Sequence, residues 1–378
     1  MAGDLKPFKV GKPVTGDQFY DRTKLLHEVK TLIRDGQDFM IKAPRRYGKT
    51  SLIKQALIQT SSSFIYIDLR RESRLEDVAE QIVDFVFDKA GVKGFFRRLK
   101  ENVASFMISA KHEVKIKSEL FEYTVEYFAD TKKTPCEMLR KALETAEEIA
   151  GELQERFVVV FDEFQDIRAF NCEGGDLLEM LRGVIQHHES NMYVFLGSIE
   201  HLMTQIFENR KSPFYDYCRK LKLSSFDIDE LAPQLISVLK SRKIVFEDEK
   251  DLYKVLHRLH GHPTNTMLLM QRLYYISLEM DVKLIRKDNL NMAYEEAYEE
   301  TLDLIEQYVN ELKQKKNHYD VLRRIARNEP QKMTPQGVNQ VLKGLMEMGF
   351  LNKVDRGSYM INDGFLVDYL LYVPSQLE

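Results

Sequence analysis

Cysteine is scarce in this chain. Three residues in 378, Cys136, Cys172 and Cys218, lie far apart and in no C-x-x-C spacing. That argues against both a disulfide framework and a zinc knuckle and favours small core or loop residues, with redox activity of Cys172 and Cys218 as the alternative. Long apolar runs are also missing: the longest, such as FVVVF at 157–161, have the length of a strand, and the start, MAGDLKPFKV, lacks the apolar core of a signal peptide. A cytoplasmic protein with no membrane partner is expected. Nor is there an excess of either charge. Lysine plus arginine number 55 against 59 aspartate plus glutamate, a net charge of -4, so no overall basic field awaits nucleic acid and any DNA contact must be local. No fixed-period repeat or low-complexity tract interrupts the chain.

What is present reads as soluble, globular and multidomain: 44% hydrophobic residues, 30% charged, and a length that suggests two or three units. In the first half, short runs rich in β-branched and aromatic residues (38–43, 64–69, 157–161, 192–197 and, less clearly, 221–226) alternate with helical patterns. That alternation predicts a parallel sheet with helices on its faces, and the near-continuous apolarity of the runs predicts strands buried on both sides. Between the second and third runs comes a long excursion, with a helix over 74–89, a hairpin or edge strands within HEVKIKSELFEYTVEYF (112–128), and a helix over 135–153. From about Leu231 helix follows helix, with breaks expected at Ala232-Pro233, at HGHP (260–263) and at the charged segment 311–317, and with no strand until GFLNKVDRGSYMIND.

The segment MIKAPRRYGKTSL (40–52) joins a buried-type strand to an amphipathic helix beginning at Lys49-Thr50. At such a junction backbone N–H groups and the helix dipole make a site for phosphate. Gly48 supplies a backbone conformation that side chains disfavour, Lys49 reaches β- and γ-phosphates, and the Thr50 hydroxyl suits Mg²⁺. The strict pattern asks for Gly where Ala43 stands; a methyl group is the smallest addition there, and Pro44 biases Ala43 toward extended angles. The binding stretch is thus Ala43, Pro44, Arg45, Arg46, Tyr47, Gly48, Lys49, Thr50 and Ser51. Arg45 and Arg46 point to no single role, since phosphate, a partner's carboxylate, nucleic acid and plain solvent all suit them. A second element, RFVVVFDEFQDI (156–167), ends a strand in Asp162-Glu163, at the edge where open α/β sheets bind ligands. Asp162 suits a direct or water-mediated Mg²⁺ role, and Glu163 a base acting on the attacking water.

In order along the chain, PFKVGKPVTGDQFYDR, APRRYGKTSL, VVVFDEFQDI, VFLGSIEHLM and KSPFYDYCRKLKL resemble the archaeal-type ATPases of the STAND class, P-loop proteins related to AAA+ ATPases. The resemblance spans nearly the whole chain and is weakest over 71–153. It implies an ATP-binding sheet with an extra strand between the two nucleotide-binding strands, a helical lid and a C-terminal winged helix. It also implies that Arg22 borders the nucleotide base, although Asp21 stands where these proteins often have Gly; bonding of Arg22 to structural carboxylates is the other reading. Ser198 matches a sensor of the γ-phosphate or attacking water, or is a small polar residue ending a buried strand. Arg219 falls where the family carries an arginine able to stabilise transition-state charge in cis or in trans; a strand-edge charge is the alternative. HGHP resembles the Gly-x-Pro element by which the lid touches adenine, with Gly261 and Pro263 in place. His257, His260 and His262 have no acidic or thiol partner at ligand spacing, which speaks against a metal.

The last segment reads as helix (318–328), helix (334–349, with Thr334 as N-cap and Pro335 first) and a hairpin (352–362) around Asp355-Arg356-Gly357, the order of a winged helix. Its presumed recognition helix, TPQGVNQVLKGLMEMG, has one lysine and one glutamate. Arg323, Arg324, Arg327, Lys332, Lys343, Lys353 and Arg356 would make a modest basic face for DNA. Packing on the ATPase domain or on a protein partner is the competing use.

The expected architecture is therefore an α/β P-loop ATPase domain over 1–232, with an insertion at 70–153, a helical lid over 233–312 and a winged helix over 313–378. The expected activity is Mg²⁺-dependent ATP hydrolysis driving a conformational switch, with Glu163, Lys49, Arg219 and Ser198 as its catalytic residues. Arg22 and Pro263 join the loop in binding ATP, and Thr50 and Asp162 hold the metal. The alternative is a winged-helix DNA-binding or regulatory protein that keeps nucleotide as a structural ligand. A kinase or other phosphoryl transferase is disfavoured, because no acceptor motif is visible. Homo-oligomerisation or a protein partner stays open.

Overall fold

The computed structural model describes residues 7–101, 118–130, 132–172, 175–355 and 357–372. They form two compact units, one made of Met1–Leu26, Ala43–Gln55 and Leu223–Glu378, the other of His27–Lys42 and Ala56–Lys222.

The second unit is built on a parallel sheet of β1 (Phe39–Lys42), β2 (Ser63–Asp68), β3 (Phe157–Asp162), β4 (Asn191–Gly197) and β5 (Arg219–Lys222), in the order β2-β3-β4-β1-β5. β4 thus separates β1 from β3, the extra strand that the resemblance implied. Every residue of β4 is buried, as are the first five of β3, because helices cover both faces and no side of the strand meets water. Phe161, Tyr193, Phe195, Phe164, Phe207 and Phe214 form an aromatic cluster on the sheet, the Phe164 and Phe195 rings 4.6 Å apart. β5 lies at 219–222 and not at 221–226: an edge strand needs one inward side chain, here Leu221, and its exposed Arg219, Lys220 and Lys222 discourage pairing with another chain.

Helix Pro135–Leu153 starts with a capping box. Thr134 accepts from the Glu137 amide at 3.3 Å, and the Glu137 carboxylate accepts from the Thr134 amide at 2.8 Å. Leu139, Ala142, Leu143 and Ala146 bury its inner stripe, and it packs on helix Leu75–Lys89. The expected hairpin at 112–128 is overturned where it is described: Ser118–Ala129 is a helix, and 112–117 lie outside the described residues. Phe121, Thr124, Val125 and Phe128 are the buried positions, a spacing of three and four that outweighs the β-propensity of Val, Tyr and Phe. A second correction concerns the cysteines. Cys136 and Cys172 are joined in a disulfide with Cα atoms 5.7 Å apart, tying the start of helix Pro135–Leu153 to the segment that follows β3. Sequence spacing could not show this, because the fold brings the two together.

In the first unit, helices Ile228–Lys240, Glu249–Arg258, Pro263–Glu279 and Lys287–Gln314 enclose a core of Leu231, Leu235, Leu252, Leu269, Leu273 and Ile305. Pro233 does not break the first of them. It sits on the exposed face, and the Asp229 carbonyl it leaves without a helical donor belongs to an exposed residue in the first turn. Two short strands, β6 (Val245–Phe246) and β7 (Leu284–Ile285), pair in parallel where none was expected. Helices His318–Ala326 and Pro335–Glu347 follow, then the antiparallel pair β8 (Leu351–Asp355) and β9 (Ser358–Ile361), then helix Gly364–Tyr372. Among the described residues no helix is long and apolar enough to cross a membrane.

The Cys136–Cys172 bond closes a span of 36 residues. By the chain-entropy argument it stabilises its unit by about 4 kcal/mol. Cys172→Ser should lower the thermal midpoint by roughly 10 °C without reductant, and the difference should vanish in dithiothreitol.

Candidate functional site

The phosphate loop leaves β1 after Lys42, at the carboxyl edge of the sheet. Ala43 is fully buried, so its methyl group fills space without disturbing the turn. Gly48 has φ +85°, and a Cβ built on it would meet nothing within 4 Å; glycine is needed there for its backbone conformation and not for room. Lys49 opens helix Lys49–Thr60, is 6% exposed, and donates from Nζ to the carbonyls of Ala43 at 2.8 Å and Pro44 at 3.2 Å. Its ammonium is thereby held over the loop by two neutral acceptors, for which an anionic phosphate would be the stronger partner. The Ser51 hydroxyl accepts from the Val14 amide at 3.1 Å, so it fastens the N-terminal arm.

That arm carries Arg22, which is buried; its guanidinium donates to the carbonyls of Tyr47 at 2.8 Å and Ser224 at 3.2 Å and lies 4.9 Å from the centre of the Phe226 ring. The main chain, more than any carboxylate, thus receives its hydrogen bonds. Burial lowers its pKa to about 10, which leaves it charged at neutral pH. Asp21 has φ +57°, which accounts for the glycine common at this position: the backbone is left-handed there. Asp21 tolerates it while accepting from the Asp227 amide at 3.1 Å, and burial raises its pKa.

Gly261 has φ +61°, and a Cβ there would stand 2.6 Å from the Phe226 carbonyl, so both conformation and space require glycine. Pro263 begins helix Pro263–Glu279, whose N-cap is His262; its Nδ1 accepts from the Asn265 amide at 3.3 Å and its ring meets the Tyr47 ring edge-on at 5.2 Å. His260 donates from Nδ1 to the Ile361 carbonyl at 2.6 Å. Among the described residues no cluster of metal-binding side chains is found.

In the sheet unit, Asp162 ends β3 beside Asp68 of β2, and burial together with the Asp162 charge raises the Asp68 pKa. One oxygen of Asp162 accepts from the Glu163 amide at 2.9 Å, the other from the Tyr66 hydroxyl. Glu163 is left-handed, φ 53°, because the chain turns sharply to bury Phe164 in the aromatic cluster. Its Oε2 accepts from the Ser198 hydroxyl at 2.5 Å, the Ser198 amide at 3.2 Å, Gln165 Nε2 at 2.6 Å and Arg70 Nη2 at 3.3 Å. Arg70 also donates to Asp166 at 2.9 Å. The fold therefore unites Asp162, Glu163 and Ser198, and adds Arg70, Gln165 and Tyr66, which sequence reasoning missed. Arg70 and Tyr66 were findable only through strand order, since Tyr66 lies in β2 and Arg70 just past its end, next to β3. Four donors thus converge on one oxygen of the Glu163 carboxylate and fix its orientation.

Arg219 is not brought to this edge. It pairs with Phe39, the first residue of β1, while Lys42 pairs with Lys222, and its guanidinium lies 3.8 Å from Glu28. Three residues of strand, about 10 Å, separate it from the carboxyl end. In the C-terminal segment, Arg324 donates to the Pro330 carbonyl at 3.0 Å, Arg327 to the Leu370 carbonyl at 3.2 Å, and Lys343 pairs with Glu347 at 3.8 Å. At least three of the seven residues of the anticipated basic face thus have partners within the chain; Arg356 lies outside the described residues.

A parallel sheet in this order, with a lysine-bearing loop after β1 and an acidic pair after β3, is the architecture of a P-loop ATPase of Walker type. Residues 19–269 match the family described as an ATPase domain predominantly from Archaea, and the chain belongs to that family. By structure it is similar to a Walker-type ATPase of Pyrococcus abyssi, with a TM-score of 0.69 and 18% identity over 97% of this chain and 99% of that one. It is also similar to the ORC2 protein of Aeropyrum pernix in ADPNP-ADP complexes, with a TM-score of 0.53 and 13% identity over 94% of each chain. At these identities the likeness is one of fold. No curated relative matches the chain by sequence.

Burial holds His262 neutral and lowers its pKa, and the neutral ring is the form that caps the helix. In the unfolded chain the same histidine takes up a proton as pH falls through about 6.5. Its contribution is therefore complete above that pH and is lost as pH falls toward the lower folded value. His188, lowered by burial as well, acts in the same direction. The thermal midpoint should fall between pH 7 and pH 5.5, and His262→Asn, which keeps a cap acceptor that does not titrate, should shrink that fall.

Proposed function

We propose that the chain binds ATP with Mg²⁺ on Ala43–Ser51, hydrolyses it with Glu163 as base, and uses the cycle as a conformational switch. The observation that supports hydrolysis over binding alone is the Glu163 carboxylate, held by Ser198 at the carboxyl edge, where β1 hands the chain to the loop. In this reading Glu163 takes the proton of the attacking water and Ser198 orients the carboxylate. Lys49 exchanges its loop carbonyls for β- and γ-phosphate oxygens. Arg22 and Pro263 border the nucleotide. Thr50 and Asp162 offer the hard oxygen donors that Mg²⁺ prefers; Asp162, already accepting from Tyr66 and the Glu163 amide, suits a water-mediated contact. The metal, when bound, neutralises charge developing on the phosphates.

The division into an ATPase domain (1–232, insertion 70–153), a lid (233–312) and a winged helix (313–378) is part of this proposal, supported by the helix, helix and hairpin order after 317. So is a cytoplasmic location. The exposed place of Arg219 on an edge strand suits action on a second copy better than action within its own chain. The other reading, a DNA-binding or regulatory protein with nucleotide as a structural ligand, draws support from the four donors that restrain Glu163. Arg324, Arg327 and Lys343, which have partners within the chain, add nothing to it.

The two separate by phosphate release. Glu163→Gln should lower turnover by about 10²-fold or more while ATP binding persists; Lys49→Ala should weaken binding by roughly tenfold or more. Wild-type turnover no faster than that of Glu163→Gln would refute hydrolysis. A rate per chain that rises with protein concentration would support an arginine in trans, and stimulation by duplex or single-stranded DNA would identify that partner.

A further inference from the structure

Two successive carbonyls of the phosphate loop are held by side chains from outside it. The Tyr47 carbonyl accepts from Arg22, and the Arg46 carbonyl accepts from the Thr264 hydroxyl at 2.9 Å. Because a trans peptide points its carbonyl and its N–H to opposite sides, fixing the Arg46 carbonyl aims the Tyr47 N–H, and fixing the Tyr47 carbonyl aims the Gly48 N–H. Arg46, at φ +67°, and Gly48, at φ +85°, both take left-handed conformations, so the loop alternates in the way that gathers N–H groups around an anion. A left-handed arginine costs free energy in isolation, and the Thr264 bond offsets it.

Thr264 is the second residue of helix Pro263–Glu279 and belongs to a stretch fastened to the end of the chain. Asn265 Nδ2 donates to Asp363 at 2.7 Å, and His260 donates to the Ile361 carbonyl. Pro44, at the other end of the loop, lies against Gly349, where a Cβ would stand 3.4 Å from its ring. Loop, helix and C-terminal segment are therefore mechanically continuous within one unit.

We infer that Thr264 is a positioning residue for the nucleotide phosphates: its hydroxyl holds the Tyr47 amide in the anion cradle and links occupancy of the loop to the C-terminal segment. This rests on the ATP reading above. Linkage then runs both ways, with docking of the segment tightening ATP and ATP stabilising the docked segment.

Four full-length proteins test it: wild type, Lys49→Ala as the control for phosphate binding, Thr264→Val, which keeps the shape without the hydroxyl, and Thr264→Ser, which restores it. Each is titrated with a fluorescent ATP analogue and, without nucleotide, followed by amide hydrogen exchange over 44–48. Thr264→Val should bind about fivefold more weakly and exchange faster over the loop, and Thr264→Ser should recover both. Wild-type affinity in Thr264→Val, or a Thr264→Ser as weak as Thr264→Val, overturns the inference. A wild type that binds no better than Lys49→Ala refutes the ATP reading and with it the phosphate role. Unchanged loop exchange in Thr264→Val refutes the latch itself, whatever the nucleotide does.

Discussion

β4, Asn191–Gly197, is buried at every residue and hydrogen-bonded on both sides, to β3 and to β1. A strand so placed tolerates neither a slip of register nor a polar insertion, because each would put an unpaired group into a dry interior. Its register carries the chemistry. Gly197 is aligned with Lys42, Phe195 with Phe161, so the ends of three strands reach one edge together. Ser198 then follows β4 beside Glu163, which follows β3. The aromatic cluster adds the second constraint: Phe164 must be buried, and the sharp turn that buries it gives Glu163 its left-handed backbone.

The phosphate loop depends on another kind of restraint. Its own residues supply one glycine and one lysine, but its shape is held by Arg22 from the arm and Thr264 from the helix after HGHP. Both belong with the loop to the unit that contains the C-terminal helices and hairpin, whereas Glu163, Ser198 and Arg70 belong to the sheet unit. Under the proposed reading, the residues that would bind nucleotide lie in one compact unit and those that would hydrolyse it lie in the other.

Much of this was legible in the chain. MIKAPRRYGKTSL and RFVVVFDEFQDI carry strand, turn and chemistry within about a dozen residues each, so local pattern sufficed, and the three inner strands β3, β4 and β1 fell where their apolar runs lie, as did the edge strand β2, which is only half-buried. Edge and exception were harder. β5 buries one side chain in four and so has almost no apolar signal. Helix Ser118–Ala129 is rich in residues that favour strands, and only its buried spacing decided the matter. Pro233 read as a break because propensity ignores which face of a helix it occupies.

By itself, then, the sequence determined the class of the sheet, the phosphate loop and the acidic pair, since each is written in contiguous residues whose backbone preferences and chemistry need no distant partner. Only the tertiary structure decided that Cys136 meets Cys172, that Arg70 and Ser198 close on Glu163, and that Arg219 pairs with Phe39 at the start of β1. It alone also decided that Thr264 grips Arg46 across 218 residues. These pairings depend on strand order and register, which arise from burying whole faces at once and leave no mark at either residue taken singly.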